Sequence, residues 1–182
     1  MTKAIQIPVH LDARTFRRYC AFDAFYRQRR WYWPALIGMG LITVSLAGLF
    51  GWVGMSDTTA GLLMGLGIAV PMVNLGLWII PIEVQVSRQR LKEAPLVYAL
   101  RLDDAGVRVE NGQKPEEAPV ELPWSGLWAA FRRGGDIYLY ANPGRALILP
   151  AGQASVSDSA LWTFITKRLG AEKCFDGRKT AA

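Results

Sequence analysis

The chain has 182 residues, 51% of them hydrophobic and 20% charged, with a formal net charge of +6, a length that holds one ordinary domain with appendages. The charge is unevenly spread: none occurs from Trp31 to Ser56 or from Thr58 to Ile82, which leaves Asp57 alone between them. This excludes an ordinary soluble globule and a disordered chain, and the 2 cysteines, Cys20 and Cys174, are too few for a disulfide scaffold.

In chain order, Ile5, Ile7 and Val9 alternate with Gln6, Pro8 and His10, which predicts a short strand. Asp12 is placed to cap a helix running to about Arg30, with Phe16, Tyr19, Phe22 and Tyr26 on one broad face. Residues 1–30 are thus read as an N-terminal strand and a basic helix that leads directly into the apolar region.

Residues 31–82 predict a two-span transmembrane hairpin. Ala35–Met55 and Ala60–Ile82 hold 21 and 23 residues without charge, against the roughly 20 that cross a hydrocarbon core. A helix is the economical form there, because lipid offers an unpaired amide no partner. Ser56–Thr59 is so short a link that the helices must be antiparallel neighbours. Arg14, Arg17, Arg18, Arg27, Arg29 and Arg30 precede the first span, Arg88, Arg90 and Lys92 follow the second, and the link has no basic residue. This places both termini in the cytoplasm and the link outside. The thirty residues before Trp31, and the lack of a small-residue cleavage motif in 51–60, argue against a cleaved signal peptide.

The net charge divides informatively. Residues 1–95 carry ten basic and five acidic side chains (+5), and residues 96–182 carry eleven and ten (+1). The surplus is juxtamembrane, which fits topology determinants that meet anionic headgroups and argues against nucleic acid as a partner.

Within the hairpin, Gly61, Gly65 and Ala69 share one helix face, and Gly40, Ala47, Gly51 and Gly54 fall near another. Small residues let backbones approach, so these stripes are expected where the two spans meet, or else where two copies of the protein join. Pro71 strips the Gly67 carbonyl of its helical donor and predicts a kink. Asn74 is expected to bond across to Ser45 or Thr43 as structural glue, since two helices enclose no transport path. Trp31, Tyr32, Trp33, Trp52 and Trp78 fit an interfacial aromatic belt. Residues 83–95 predict a helical stalk that Pro95 ends.

From Leu96 the period changes to two. Strands are expected at 97–102, 107–110, 120–122, 127–132, 137–141 and 146–149. Turns fall at Asp103–Gly106, Gly134–Asp136 and Asn142–Gly144. A helix from about Ser157 to Leu169, capped by Ser157 or Asp158, presents Leu161, Trp162, Ile165 and Leu169 on one face. The fold class is a membrane α-hairpin plus a small β-rich (α+β) domain over 96–170, an antiparallel barrel or sandwich closed by the terminal helix. Residues 171–182 are read as a flexible tail.

Tyr98-Ala99-Leu100, Asp103-Asp104-Ala105-Gly106-Val107, Leu122-Pro123-Trp124-Ser125, Ile137-Tyr138-Leu139-Tyr140 and Ile148-Leu149-Pro150 occur in that order. The chain resembles the YcxB-like family, bacterial membrane proteins with an N-terminal helix, a two-span hairpin and a C-terminal domain similar to a pleckstrin-homology fold. The resemblance implies such a domain here and carries no activity over to individual residues. Gly126 and Ala151 depart from the family pattern, which has a polar or charged residue and a basic residue there. Read physically, Trp124, Tyr138 and Tyr140 supply core area and Gly106 supplies a turn.

No catalytic constellation is visible. Gly134-Gly135 lacks a following Lys-Ser/Thr, His10 is the sole imidazole, and Asp103/Asp104 and Glu116/Glu117 fall in turns. Cys20 and Cys174 are too isolated for zinc. No enzyme activity, cofactor or metal is therefore expected. Two functions remain. One is a membrane-tethered module that recruits a cytoplasmic protein or peptide, for example by strand addition. The other is an accessory subunit or homo-oligomer of a larger membrane complex. A third reading, binding of anionic lipid, rests on Arg132, Arg133 and Arg145 as a basic cluster.

Overall fold

The computed structural model describes residues 4–28, 32–114 and 116–177 and is α+β. It divides into two compact units. One comprises the chain up to Tyr19 together with everything from Arg90 onward, and the other is Cys20–Gln89.

The first unit is built on two four-stranded sheets. Strand β1 (Ile5–His10) buries Ile5, Ile7 and Val9 and exposes the residues between them, as its alternation dictates. It does not stand alone. It pairs antiparallel with β2 (Leu96–Leu102), Ile7 opposite Leu100, and so becomes the edge of a sheet continued by β3 (Gly106–Asn111) and β4 (Val120–Pro123). Pro8 is tolerated because β1 is an edge. The separate N-terminal element expected over 1–30 is therefore divided: its strand completes the small domain, and the whole hairpin is inserted between two adjacent strands.

The second sheet has the order β7-β6-β5-β8, from β5 (Ala129–Arg133), β6 (Asp136–Asn142), β7 (Arg145–Leu149) and β8 (Cys174–Asp176). Strands β2 to β7 match the sequence expectation to within two residues. Strand β8 runs parallel to β5 and lies in the segment read as a flexible tail; residues 178–182 lie outside the described residues. The β5–β6 turn is a two-residue loop with Gly134 and Gly135 at φ +62° and +98°, the left-handed backbone that such hairpins need.

The inward faces of both sheets and helix α4 (Asp158–Leu169) share one core, including Ile7, Leu102, Ile137, Leu139, Leu161 and Ile165. Helix α4 starts where Ser157 Oγ accepts from the Ala160 N–H at 3.3 Å. The barrel alternative does not hold: among the described residues the strands form two separate sheets and no closed barrel. Gly106 also has a different role from the expected turn. A Cβ there would fall 3.0 Å from the Leu122 carbonyl carbon, so β4 approaches β3 over a bare backbone.

Asp12 caps helix α1 (Ala13–Ala21), accepting from the Thr15 N–H at 2.9 Å. Beyond Ala21 the backbone widens into a π-type turn over Phe22–Arg27. How it enters the first span lies outside the described residues.

In the second unit, helices α2 (Tyr32–Leu49) and α3 (Asp57–Arg88) pack as a hairpin. Both are long and apolar enough to cross a membrane. The link is residues 50–56, not 56–59. Gly51 takes φ +74°, and Ser56 caps α3 by accepting from the Thr59 N–H at 3.2 Å, so α2 ends six residues before Met55. The expected stalk is also corrected. Helix α3 runs through Pro71 and Pro81 to Arg88. Arg90 then turns left-handed (φ +51°) and Leu91 is fully buried, so the helix stops well before Pro95.

Candidate functional site

Helix α1 crosses the outer face of the second sheet. The Tyr19 ring lies 5.4 Å from Tyr138 and 6.5 Å from Tyr140, both of which are fully buried. The alternation of β6 therefore points Ile137 and Leu139 into the common core and both tyrosines to this covered second face. The face continues along β5 and β8 as an aromatic surface. Phe131 stacks on Phe175 at 4.9 Å and meets Tyr140 edge-on at 5.5 Å, and Trp128 meets Tyr140 at 6.0 Å. Trp128 is 43% and Phe175 50% exposed, which makes them uncommon among the large apolar side chains of this unit. Rigid aromatic area of this kind suits contact with protein better than with small polar ligands. Neither residue stands out in the sequence, because only the pairing of β8 with β5 brings them together.

Beside the covered face, Asp136 is buried. It accepts from the Ala151 N–H at 3.1 Å and lies 3.6 Å from the Arg18 guanidinium. Burial raises its pKa above the usual carboxyl range; the Ala151 N–H and Arg18 oppose this, and Asp12 and Asp158 add to it.

The three candidate arginines do not form a cluster. Arg132 and Arg133 end β5, while Arg145 begins β7 at the other end of β6. Six residue steps along that strand separate them by about 20 Å. Arg132 is itself buried, with its guanidinium 3.9 Å from Asp176. Arg133 and Arg145 are exposed. Of the juxtamembrane set, Arg88, Arg90 and Lys92 are exposed, Arg27 is engaged by Asp23, and Arg29 and Arg30 lie outside the described residues.

Tyr98, from the first of the family-like motifs, has a structural role. Its hydroxyl donates to the Ile148 carbonyl at 2.9 Å and accepts from the Ile148 N–H at 2.7 Å. It thus joins the first sheet to the edge strand of the second and satisfies backbone groups that the edge would leave open. Burial pushes its pKa far above the ordinary phenol range.

In the hairpin the contacts differ from the expected stripes. Gly61, Gly65 and Ala69 face outward, and a Cβ at Gly40, Gly61 or Gly65 would meet nothing. The helices meet at Gly38 and Gly67, where a Cβ on Gly38 would fall 2.6 Å from the Gly67 carbonyl oxygen and one on Gly67 2.9 Å from that of Gly38. The polar link is Ser45, whose Oγ donates to the Ala60 carbonyl at 2.6 Å. Thr43 bonds the Met39 carbonyl of its own helix. Asn74 therefore bonds neither of its expected partners.

Both cysteines are free thiols whose pKa is raised by burial, Cys20 to about 11, so neither is poised as a thiolate. Among the described residues no three His, Cys, Asp or Glu side chains converge on a metal-sized site. No family model, curated protein or solved structure matches the chain.

Proposed function

We propose that this chain is a non-enzymatic integral membrane protein whose hairpin spans the inner membrane of a bacterium and presents the α+β unit to the cytoplasm, where it recruits or assembles partner proteins. One observation carries the membrane reading. The hairpin buries Gly38, Ser45, Gly48, Ala60 and Gly67 and exposes Leu36, Leu62, Leu66, Leu77 and Ile80. Only 6% of the most apolar stretch of α3 is buried. The core helix of a soluble protein does the reverse. The basic residues around the hairpin and their absence from its link support two cytoplasmic ends.

The order of strand, helix, hairpin, two sheets and terminal helix supports membership of the YcxB-like family and a pleckstrin-homology-like fold for the unit. The exposed aromatics at Trp128 and Phe175 support protein recruitment. A second reading, a subunit of a larger membrane assembly, is favoured by the outward small-residue face at Gly61 and Gly65. The separation of Arg132 and Arg133 from Arg145 takes away the basis for a three-arginine lipid site.

Two measurements test the proposal. A reporter fused after Ala182 is expected to be active in the cytoplasm and silent in the periplasm, and the opposite result refutes the topology. The tagged chain, purified in mild detergent, is expected to lose a co-purifying protein when Trp128→Ser and Phe175→Ser are combined. An unchanged set of partners would rule out the aromatic surface as the recruiting face.

A further inference from the structure

We propose that the aromatic surface of the second sheet seats an amphipathic helix of a partner protein, laid beside α1. Its apolar stripe rests on Trp128, Phe131 and Phe175, and an acidic residue lies over Arg133. This rests on the protein-recruitment reading above and names the kind of segment recruited.

The sheet itself shows what covers such a face. Its order is β7-β6-β5-β8, and α1 lies over the β6 part, with Tyr19 against Tyr138 and Tyr140 and with Phe16 of the same helix buried. Neighbouring strands are about 4.8 Å apart, so β8 lies about 10 Å from β6. That is the spacing between the axes of two packed helices. One helix therefore occupies the β6 side of this face and leaves the width of one more over β5 and β8. Exposure divides the same way: Tyr138 and Tyr140 beside α1 are buried, whereas Trp128 and Phe175 are half-exposed. The two halves are continuous, because Tyr140 neighbours Tyr19 as well as Phe131 and Trp128. From Trp128 to Arg133 the exposed half runs about 17 Å, or three helical turns.

The occupant comes from another protein. Among the described residues of this unit, α1 already lies on the face and α4 packs into the core through Leu161, Ile165 and Leu169. A strand added at a sheet edge would extend the sheet and leave the rings uncovered, so the element must lie across the face. Charge sets its polar side. Arg133 is exposed two residues beyond Phe131 on β5, and so on the same face. The exposed Arg18 of α1 reaches the same end, 3.6 Å from Asp136, the residue opposite Arg133. The acids around it are engaged: Asp136 is buried, Asp12 caps α1, and Asp158 accepts from the Gly152 N–H. An acidic residue on the incoming helix complements Arg133 and Arg18.

The test uses the full chain in cells that express it. The photoreactive residue p-benzoylphenylalanine replaces Phe175 or, as a control at the far end of β6, Arg145. Irradiation is expected to give a protein adduct at position 175 and none at 145. Mapped by mass spectrometry, the adduct should lie in a partner segment with apolar residues at three- and four-residue spacing and an acidic residue nearby. Arg133→Glu should lower the adduct about tenfold, and exchanging the partner's acidic residue for arginine should restore it. An adduct in a segment without that spacing, in a second copy of this chain, or unchanged by Arg133→Glu overturns the helix and leaves recruitment standing. A loss that the charge exchange does not restore has the same consequence. Adducts with lipid alone, equal adducts at both positions, or none at all refute the recruiting face and the helix with it.

Discussion

In the α+β unit the buried positions include Ile7, Leu100, Leu139 and Tyr140, whereas within the charge-free stretches of the hairpin they are Gly38, Ser45, Gly48, Ala60 and Gly67, with Val86 buried beyond them. The two regions share one chain and obey opposite rules. Where water is the surroundings, burying large apolar side chains drives assembly. Where the surroundings are apolar, a leucine gains nothing by turning inward, and close backbone contact and a hydroxyl-to-carbonyl bond hold the helices instead. On the membrane reading proposed above, the two regions reflect two different solvents.

Four measurements break or sharpen that contrast, from the largest expected effect to the smallest. Leu139→Ala should destabilise the α+β unit by about 2–5 kcal/mol, while Leu62→Ala, exposed on α3, leaves the stability of the membrane-embedded protein unchanged. Thermal unfolding of the full chain in mild detergent compares the two, and equal losses would contradict the inside-out reading of the hairpin. Gly67→Leu forces a side chain into the Gly38 backbone and should cost about 1–3 kcal/mol or more; Gly65→Leu, facing outward, should not disturb packing within the hairpin. Proteolytic sensitivity of the link at residues 50–56 distinguishes them.

Tyr98→Phe removes both bonds to Ile148 and leaves two backbone groups of an edge strand short of partners, a loss of about 1–3 kcal/mol. Hydrogen exchange at the Ile148 amide should speed up with it. The smallest effect concerns pH. Because burial raises the pKa of Asp136 on folding, the folded state holds that proton more tightly than the unfolded one. The stability it contributes is complete below the ordinary aspartate pKa and is lost as pH climbs through the raised value. Asp136→Asn lacks this dependence, so its melting temperature relative to the parent protein should rise between pH 4 and pH 8. A constant difference would show that the Ala151 N–H and Arg18 cancel the effect of burial, and a fall would show that they outweigh it.

Much of the fold was legible in the residues. The alternation of Val97 to Leu102 and of Ile137 to Ala141, and the apolar face of Leu161, Ile165 and Leu169, mark strands and a helix because period alone separates a buried face from an exposed one. The charge-free stretches mark the hairpin for the same reason. Less was legible at the candidate surfaces. Arg132, Arg133 and Arg145 are close in sequence, yet a strand between two turns carries them to opposite ends. Trp128 and Phe175 are far apart in sequence, and the parallel pairing of β8 with β5 sets them on one face.

Composition and periodicity by themselves marked β1 to β7, the apolar hairpin and helix α4, since these follow from local geometry and transfer energies. Tertiary structure alone decided that β1 belongs to the sheet beyond the hairpin, that Gly38 and Gly67 rather than Gly61 and Gly65 form the helix contact, and that Ser45 rather than Asn74 makes the polar link. The physical reason is common to all three. Spacing assigns residues to a face, but the rotation of a helix and the partner of a strand are settled only when a second surface, distant in the chain, packs against it.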